Sequence, residues 1–263
     1  MYKLTVLALS SFFALGVSGA DAQRIVTSNF GSTFFELNES TAEATEIPRE
    51  FLTPFFSSSD FRSSTQLFGL QGFTLYQVDF DFSANSYTFN EVLDLSSGSD
   101  SIAFDPSGDL FVYNSGGQIA SVDINTGEET LVTLDEIDGR RVSFQGIDFS
   151  PSGELFGVDT RALYKIDPVT GDITRITATG NDAIPSSIFT ELDYSDSGII
   201  RAITFGDTVW HIDPVSGLGQ NPIEYSGSVF SSIATTAIPE PSTSCILGLF
   251  CLGMSLCRRK SGR

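Results

Sequence analysis

The chain has 263 residues, of which 41% are hydrophobic, and it carries 33 Asp and Glu against 14 Lys and Arg. This length allows a sizeable core in one or two domains. The formal net charge of −19 argues against nucleic acid or anionic lipid as a partner, because an acidic surface repels phosphate groups. All three cysteines (Cys245, Cys251 and Cys257) lie near the C-terminus, so residues 23–237 hold neither a disulfide nor a thiolate metal site.

The first 22 residues have the three parts of a secretory signal peptide. Lys3 gives a positive start, Leu4–Leu15 is apolar, and Ala20-Asp21-Ala22 is a small-residue cleavage site. We expect cleavage after Ala22. The alternative is a buried N-terminal helix.

Residues 23–237 contain 9 Lys and Arg against 31 Asp and Glu, a net charge of −22, and they are built from repeats. Three units open with an apolar strand and a turn that ends in glycine, at a spacing of 45 residues: Gly108, Gly153 and Gly198. A second marker, an aliphatic residue with Asp before a Thr-Gly or Ser-Gly turn, follows in each unit, at Asp123, Asp167 and Asp213. Degraded copies of this marker stand at Val78-Asp79 and Leu37-Asn38, which gives five units.

Each unit holds four short segments rich in β-branched and aromatic residues and separated by Gly, Pro, Asn and Asp, which predicts four strands. A period of about 40–45 residues with four strands is typical of a β-propeller blade. We therefore predict an all-β, five-bladed β-propeller over residues 23–237, with Glu46–Phe56 connecting the first two blades. An open β-solenoid is the competing architecture, since it also stacks repeats.

The two ends of the array are complementary. The chain enters at Ile25–Phe30 and Phe34–Asn38, which match the second and third strands of a blade. It ends on 230–235, which match the inner strand 144–149 of a later unit. We predict that this C-terminal strand completes blade one and closes the ring, because closure removes the free sheet edges.

Residues 238–263 form a separate C-terminal segment. A Pro-Glu-Pro-Ser motif precedes the apolar run Cys245–Cys257, which is short for a bilayer span of about 20 residues, and a basic cluster follows it. This order resembles the bacterial PEP-CTERM sorting signal, whose motif and basic residues here are Pro239, Glu240, Pro241, Ser242, Arg258, Arg259 and Lys260. The resemblance implies export, a short transmembrane helix, recognition by an exosortase-type transpeptidase, and release to or attachment at the cell surface. A plain C-terminal membrane anchor is the alternative.

The single histidine, His211, is the first candidate for acid–base chemistry. In the repeat alignment it takes the position of Lys165, which predicts an exposed strand residue. A lone histidine cannot build a multi-histidine metal site, and a Ser-His-Asp triad would need all its base chemistry from this single residue. We therefore predict no catalytic residue.

Three aspartates, Asp60, Asp148 and Asp193, share one position of the predicted inner strand, and alanine fills that position in the other two blades. Converging carboxylates suit a hard cation such as Ca²⁺, so these residues form a candidate metal site. The alternative is that they are solvated or accept hydrogen bonds from nearby backbone amides. Asp123, Asp167 and Asp213 fit Asx turns instead.

Aromatic residues are abundant, with 23 Phe, and Phe68, Phe111 and Phe156 recur at equivalent inward positions, which favours a packing role over a carbohydrate platform. We predict an exported binding or structural protein at the cell surface or in the extracellular matrix, with polysaccharide as a possible partner and no resident cofactor beyond the candidate Ca²⁺. The alternative function is a secreted hydrolase or lyase that uses the channel carboxylates.

Overall fold

The computed structural model describes residues 23–29, 33–48, 54–96, 98–160, 162–176, 189–204, 207–225 and 229–237. The predicted signal peptide and the PEP-CTERM-like segment lie outside these residues. The described residues form strands and turns, and none of them belongs to a helix that is long and apolar enough to cross a membrane.

Within the described residues, twenty strands form five four-stranded antiparallel sheets, which are the blades. Blade one is β20-β1-β2-β3, and the other four blades are β4–β7, β8–β11, β12–β15 and β16–β19 in chain order. The strands of the first half are β1 (Gln23–Asn29), β2 (Phe34–Asn38), β3 (Glu43–Ile47), β4 (Ser58–Phe61), β5 (Gln66–Gln71), β6 (Thr74–Asp81), β7 (Ser86–Asp94), β8 (Ser99–Phe104), β9 (Leu110–Asn114) and β10 (Gln118–Val122). The others are β11 (Glu129–Thr133), β12 (Gly146–Phe149), β13 (Leu155–Val158), β14 (Leu163–Ile166), β15 (Ile173–Arg175), β16 (Phe189–Tyr194), β17 (Ile200–Thr204), β18 (Thr208–Ile212), β19 (Gly219–Glu224) and β20 (Phe230–Ala237).

The C-terminal strand closes the ring. β20 pairs with β1 along its whole length, from Gln23 opposite Ala237 to Asn29 opposite Phe230. The inner strands β4, β8, β12, β16 and β20 contact one another in a closed cycle. The predicted five-bladed propeller and its closure by the C-terminal strand are therefore confirmed, and the open solenoid is excluded. The predicted connection Glu46–Phe56 begins slightly later than expected, because Glu46 and Ile47 still pair with β2.

The repeated Gly-ended turns join the inner strand to the second strand in blades three, four and five. Gly108, Gly153 and Gly198 have φ of 84°, 84° and 83°, a left-handed conformation that is costly for residues with a Cβ. In each turn the glycine N–H donates to the carbonyl three residues earlier, at 2.9 Å. These turns explain why the sequence marker keeps its spacing.

Aromatic pairs join neighbouring blades at three seams. The second-strand phenylalanine of one blade meets the last aromatic residue of the next inner strand, with ring centroids 5.0–5.2 Å apart: Phe68 with Phe104, Phe111 with Phe149, and Phe156 with Tyr194. We call these the aromatic seams. The predicted packing role of Phe68, Phe111 and Phe156 is confirmed.

The antiparallel blades give the propeller two different faces. One face carries the turns after the first and third strands of each blade, and the other carries the turns after the second strands and the connections between blades. Gln23 and Ala237 are paired at the first face, so the chain both enters and leaves the propeller there. We call it the mouth face, because the axial cavity described next opens on it.

Candidate functional site

The three predicted channel aspartates lie on the inner strands of blades two, four and five and are buried. Together with Arg62 they line a cavity of about 540 Å³ on the mouth face, whose wall includes aromatic residues of the blade seams. The repeat alignment therefore placed these carboxylates correctly in one cavity. The residues at the equivalent position in the remaining blades, Ala103 and Ala234, are also buried.

Each of these aspartates joins its own blade to the next one. Asp60 accepts a hydrogen bond from the N–H of Phe61 at 2.7 Å and another from the N–H of Phe104 in blade three at 2.6 Å. Asp148 accepts from the N–H of Phe149 at 2.7 Å and from the N–H of Tyr194 in blade five. The carboxylates are thus bonded to backbone amides of two blades, and we call Asp60, Asp148 and Asp193 the latch aspartates.

Asp193 makes the corresponding link from blade five to blade one. It accepts the N–H of Thr235 at 2.6 Å and the hydroxyl of the same residue. Arg201 also lies beside it, with Nη1 3.5 Å from Oδ2. The latch at this seam therefore carries an ion pair that Asp60 and Asp148 lack among the described residues.

Burial perturbs the protonation of the latch aspartates. Burial raises the pKa of Asp60 to about 7, and Asp193 adds to this effect while the Phe104 amide opposes it. Burial, with repulsion from the other two latch aspartates, raises the pKa of Asp148 well above its usual range. Burial also raises the pKa of Asp193, although Arg201 and Thr235 oppose the shift. Repulsion between carboxyl groups that line one cavity therefore adds to the effect of burial at Asp60 and Asp148.

Glu191, which the sequence analysis did not single out, occupies the axis. Its side chain is fully buried, and Oε1 accepts hydrogen bonds from the Ser101 hydroxyl at 3.0 Å and from the Leu192 amide at 3.2 Å. The same repeat position holds a serine or glycine in the other blades: Ser58, Ser101, Gly146 and Ser232. We call Glu191 the axial plug, because it reaches from blade five to blade three.

Burial disfavours the ionised form of the axial plug. Burial raises the pKa of Glu191 well above its usual range, and Oε2 has no hydrogen-bond partner within the part of the chain that the structure describes. Gly146 leaves space for the backbone of Glu191 and Leu192, since a Cβ at Gly146 would lie 2.3 Å from the Leu192 nitrogen. A protonated carboxyl at this position is the state that burial favours.

The seam between blades five and one is polar. Arg201 stands where Phe68, Phe111 and Phe156 stand in other blades, and it is 3% exposed. Its guanidinium binds Glu39 in a bidentate pair, at 2.8 Å and 3.0 Å, and donates to the Thr235 hydroxyl at 3.3 Å. His211 completes this set, with Nε2 2.7 Å from Glu39 Oε1. We call Glu39, Asp193, Arg201, His211 and Thr235 the polar seam.

The polar seam corrects the prediction for His211. Its side chain is 22% exposed, against 49% for Lys165 at the aligned position, because Glu39 from the neighbouring blade covers it. Burial alone would raise the pKa of Glu39, but the hydrogen bonds from His211 and Arg201 outweigh that effect and lower the pKa to about 2. Glu39 is therefore ionised at neutral pH, and His211 serves to hold it.

The remaining aspartates predicted as turn residues behave as expected. Asp123, Asp167 and Asp213 each accept the N–H two residues ahead at 2.8 Å, and these bonds lower their pKa values. Within the described ranges, no group of three or more His, Cys, Asp or Glu side chains is arranged to hold a metal ion. The Ca²⁺ site at the latch aspartates stays a prediction, although their oxygens already accept backbone hydrogen bonds.

Comparison with known proteins identifies the fold and not a function. No family profile matches the chain, and no curated protein matches it. A solved structure from work entitled "The de novo evolutionary emergence of a symmetrical protein is shaped by folding constraints" superposes with a TM-score of 0.54 at 19% identity, over 83% of this chain and 100% of the other. A structural genomics protein of unknown function from Bacteroides thetaiotaomicron superposes with a TM-score of 0.50 at 13% identity, over 81% of this chain and 70% of its own. At these identities, the likeness establishes a propeller-like fold.

Proposed function

We propose that this protein is an exported β-propeller that binds or organises material at the cell surface or in the surrounding matrix and catalyses no reaction. Its PEP-CTERM-like segment, residues 238–263, would be read by an exosortase-type transpeptidase. The apolar run 245–257 would hold the protein in the membrane before processing. The sorting part of the proposal rests on the sequence motif.

The observation that carries the non-catalytic part is the use of the axial carboxylates. A general acid or base must reach the reacting group of a substrate. The latch aspartates instead accept backbone amides of adjacent blades, and the axial plug is buried with one oxygen bonded to Ser101. These bonds favour a structural role for the residues that an enzyme of this shape would use.

Cell fractionation tests the sorting proposal. The full chain and a form that lacks residues 238–263 are expressed in a host with an exosortase-type system, and membrane, surface and medium fractions are compared. We expect the full chain in the membrane and surface fractions and the truncated form free in the periplasm or medium. Identical distribution of the two forms would overturn the proposal.

A second candidate function is a hydrolase or lyase that acts in the mouth cavity. It is favoured by one observation: burial raises the pKa of Asp60 to about 7 in a cavity of about 540 Å³, which is the range suited to a general acid at neutral pH. Turnover of a polysaccharide panel by the wild-type protein, lost in Asp60→Asn but retained in Asp105→Asn at the cavity rim, would establish this alternative. We expect no turnover by any of the three proteins.

A further inference from the structure

We propose that a groove between blades three and four, lined by Arg140, Arg141 and Arg175, binds the carboxylate groups of an acidic polysaccharide. The groove has a volume of about 660 Å³. It lies on the face opposite the mouth, between the connection from β11 to β12 and the turn from β13 to β14. We call it the arginine groove. This proposal deepens the proposed binding function and rests on it.

The first argument is the concentration of positive charge. Residues 23–237 carry only 9 Lys and Arg, and three of them line this groove with their side chains exposed. Arg24, Lys165 and Arg201 form ion pairs, but the three groove arginines form none with any residue that the structure describes. In a chain with 31 Asp and Glu over the same range, unpaired arginines gathered in one groove are available for an external anion.

The two carboxylates in the groove do not neutralise it. Asp159 accepts hydrogen bonds from the Ala162 amide at 2.7 Å and from the Tyr164 hydroxyl at 3.1 Å. Asp138 lies in an exposed turn. Three guanidinium groups therefore line the groove beside two carboxylates, and one of those carboxylates is engaged in hydrogen bonds.

The second argument is that the backbone presents these arginines in a defined geometry. Asp138 and Gly139 have φ of 53° and 68°, and Ile137 and Arg140 exchange backbone hydrogen bonds of 2.9 Å and 3.0 Å. Two positive φ values in a two-residue loop are typical of a tight type I′ hairpin. Arg140 and Arg141 follow directly from this hairpin, so their backbone is fixed before any ligand binds.

Gly117 positions the Arg141 side chain. A Cβ at Gly117 would lie 2.5 Å from Arg141 Cδ, so the arginine stem lies against the glycine backbone and occupies the space that another residue would fill. The glycine also has φ of 76°. On the other side of the groove, Arg175 lies directly opposite Tyr164 in the β14–β15 pair.

The third argument identifies the class of ligand. Guanidinium groups bind carboxylates through two parallel hydrogen bonds, and Ser143, Gln145 and Thr160 add neutral polar groups suited to sugar hydroxyls. A protein partner would be expected to meet apolar or aromatic anchors. The large apolar side chains exposed in the described structure all lie outside this groove: Phe73, Leu131, Val169, Val215, Leu218 and Val229. A nucleic acid duplex has one charge per ~1.7 Å, and a uronic-acid chain is far less densely charged. The acidic propeller therefore repels a uronic-acid chain less than it repels a nucleic acid.

The position of the groove fits an anchored protein. Both Gln23 and Ala237 leave the propeller at the mouth face, and the predicted membrane segment follows Ala237 after seven residues. These residues span at most about 25 Å when extended. If that segment anchors the protein as proposed, the mouth face would be held near the bilayer, and the arginine groove on the opposite face would point away from it.

Isothermal titration calorimetry at low ionic strength tests the proposal with the full chain in a neutral detergent. The probe is a galacturonic acid trimer, and the neutral comparison is a galactose trimer. Arg141→Gln and Arg175→Gln are the test variants, and Arg62→Gln is the matched control, because Arg62 is also exposed and unpaired among the described residues but lies at the mouth. We expect the acidic trimer alone to bind, with a Kd about tenfold higher in each test variant and unchanged in the control.

Three results would overturn the proposal. One is equal binding of the acidic and neutral trimers, and another is an equal loss in Arg62→Gln and Arg141→Gln. The third is displacement of the trimer by inorganic phosphate or by a poly-glutamate peptide at lower concentration than by free galacturonate, which would assign the groove to a phosphate or a protein ligand. All the substituted residues are exposed, so the variants keep their fold. Calorimetry does not depend on sorting, so its failure is distinguishable from a failure in fractionation.

Discussion

The seam between blades four and five and the seam between blades five and one occupy equivalent places in the ring but use different chemistry. Phe156 packs on Tyr194 at the former, with ring centroids 5.2 Å apart. At the latter, Arg201 and Thr235 hold the same repeat positions, and Glu39 and Asp193 bind the guanidinium. Apolar packing tolerates small shifts in register, whereas a bidentate ion pair requires one arrangement. The polar seam therefore contacts β20, the strand that closes the ring by pairing with β1.

Loss of Arg201 is expected to have the largest effect on stability. Arg201→Met keeps much of the volume but leaves the buried Asp193 without its cation and the partly exposed Glu39 with His211 alone. Breaking a buried pair in this way costs about 3–5 kcal/mol. The control is Lys165→Met, because the Lys165–Glu154 pair is about half exposed and such pairs contribute about 0–1 kcal/mol. Urea unfolding measures the free energy of unfolding of both variants and of the wild-type protein. Equal, small losses in the two variants would show that the polar seam does not hold the ring closed.

Truncating a side chain of an aromatic seam is expected to have the second largest effect on stability. Phe156→Ala removes a ring that is 4% exposed and should lower the free energy of unfolding by about 3 kcal/mol. Phe73→Ala, at a side chain that is 55% exposed, should change it by less than about 0.5 kcal/mol. Because packing carries no charge, the Phe156→Ala loss should be the same at low and high salt. A loss that varies with salt would contradict the contrast between the two kinds of seam.

The polar seam and the latch aspartate Asp60 respond in opposite directions to pH. Glu39 has a pKa lowered to about 2, so its contribution is present above its usual pKa of about 4.5 and is lost as the pH falls toward 2. Asp60 has a pKa raised to about 7, so the folded protein holds an extra proton and stability falls as pH rises from about 4 to 7, by at most ~1.4 kcal/mol per pH unit for each such group. Maximum thermal stability is therefore expected near pH 4–5.

Isosteric amides separate the two contributions in thermal melts across pH. Asp60→Asn and Glu191→Gln should flatten the decline above pH 5, because neither amide can ionise. Glu39→Gln should weaken the decline below pH 4 and lower stability at neutral pH. A wild-type maximum at pH 7–8 that none of these variants moves would contradict the protonation states assigned to the axis.

Calcium is expected to have the smallest effect. The latch aspartates already accept backbone amides, so millimolar Ca²⁺ should leave Tm unchanged relative to EDTA, whereas a cation bound at 100 times its Kd would add about 2.7 kcal/mol. A Ca²⁺-dependent rise in Tm that disappears in Asp148→Asn would instead establish the predicted cation site.

The repeat period made most of the fold predictable. The five copies of the second marker, two of them degraded, indicated the number of blades. The incomplete first and last units indicated that β20 closes blade one. The same alignment placed the latch aspartates together, because residues at one position of the inner strands must face the axis. These inferences needed only the pattern within the chain.

The residues that the sequence analysis missed are departures from the repeat. Glu191 stands where the other blades have Ser or Gly, and Arg201 stands where three of them have Phe. Each departure was visible in the alignment, but the role of the residue depends on the side chain that contacts it from the neighbouring blade. Glu39, for example, binds Arg201 and His211. A period within one chain does not carry that information. The arginine groove was missed for the same reason, since only the fold brings Arg141 and Arg175 to one groove.

The structure assigns the axial carboxylates as buried latches between blades. Nuclear magnetic resonance titration of the aspartate and glutamate side-chain carboxyl carbons tests it most directly, with Asp60→Asn and Glu39→Gln to assign the signals. We expect the axial Asp60 to titrate near pH 7 and Glu39, in the polar seam, near pH 2. Titration of both groups near pH 4, as in solvated side chains, would contradict it.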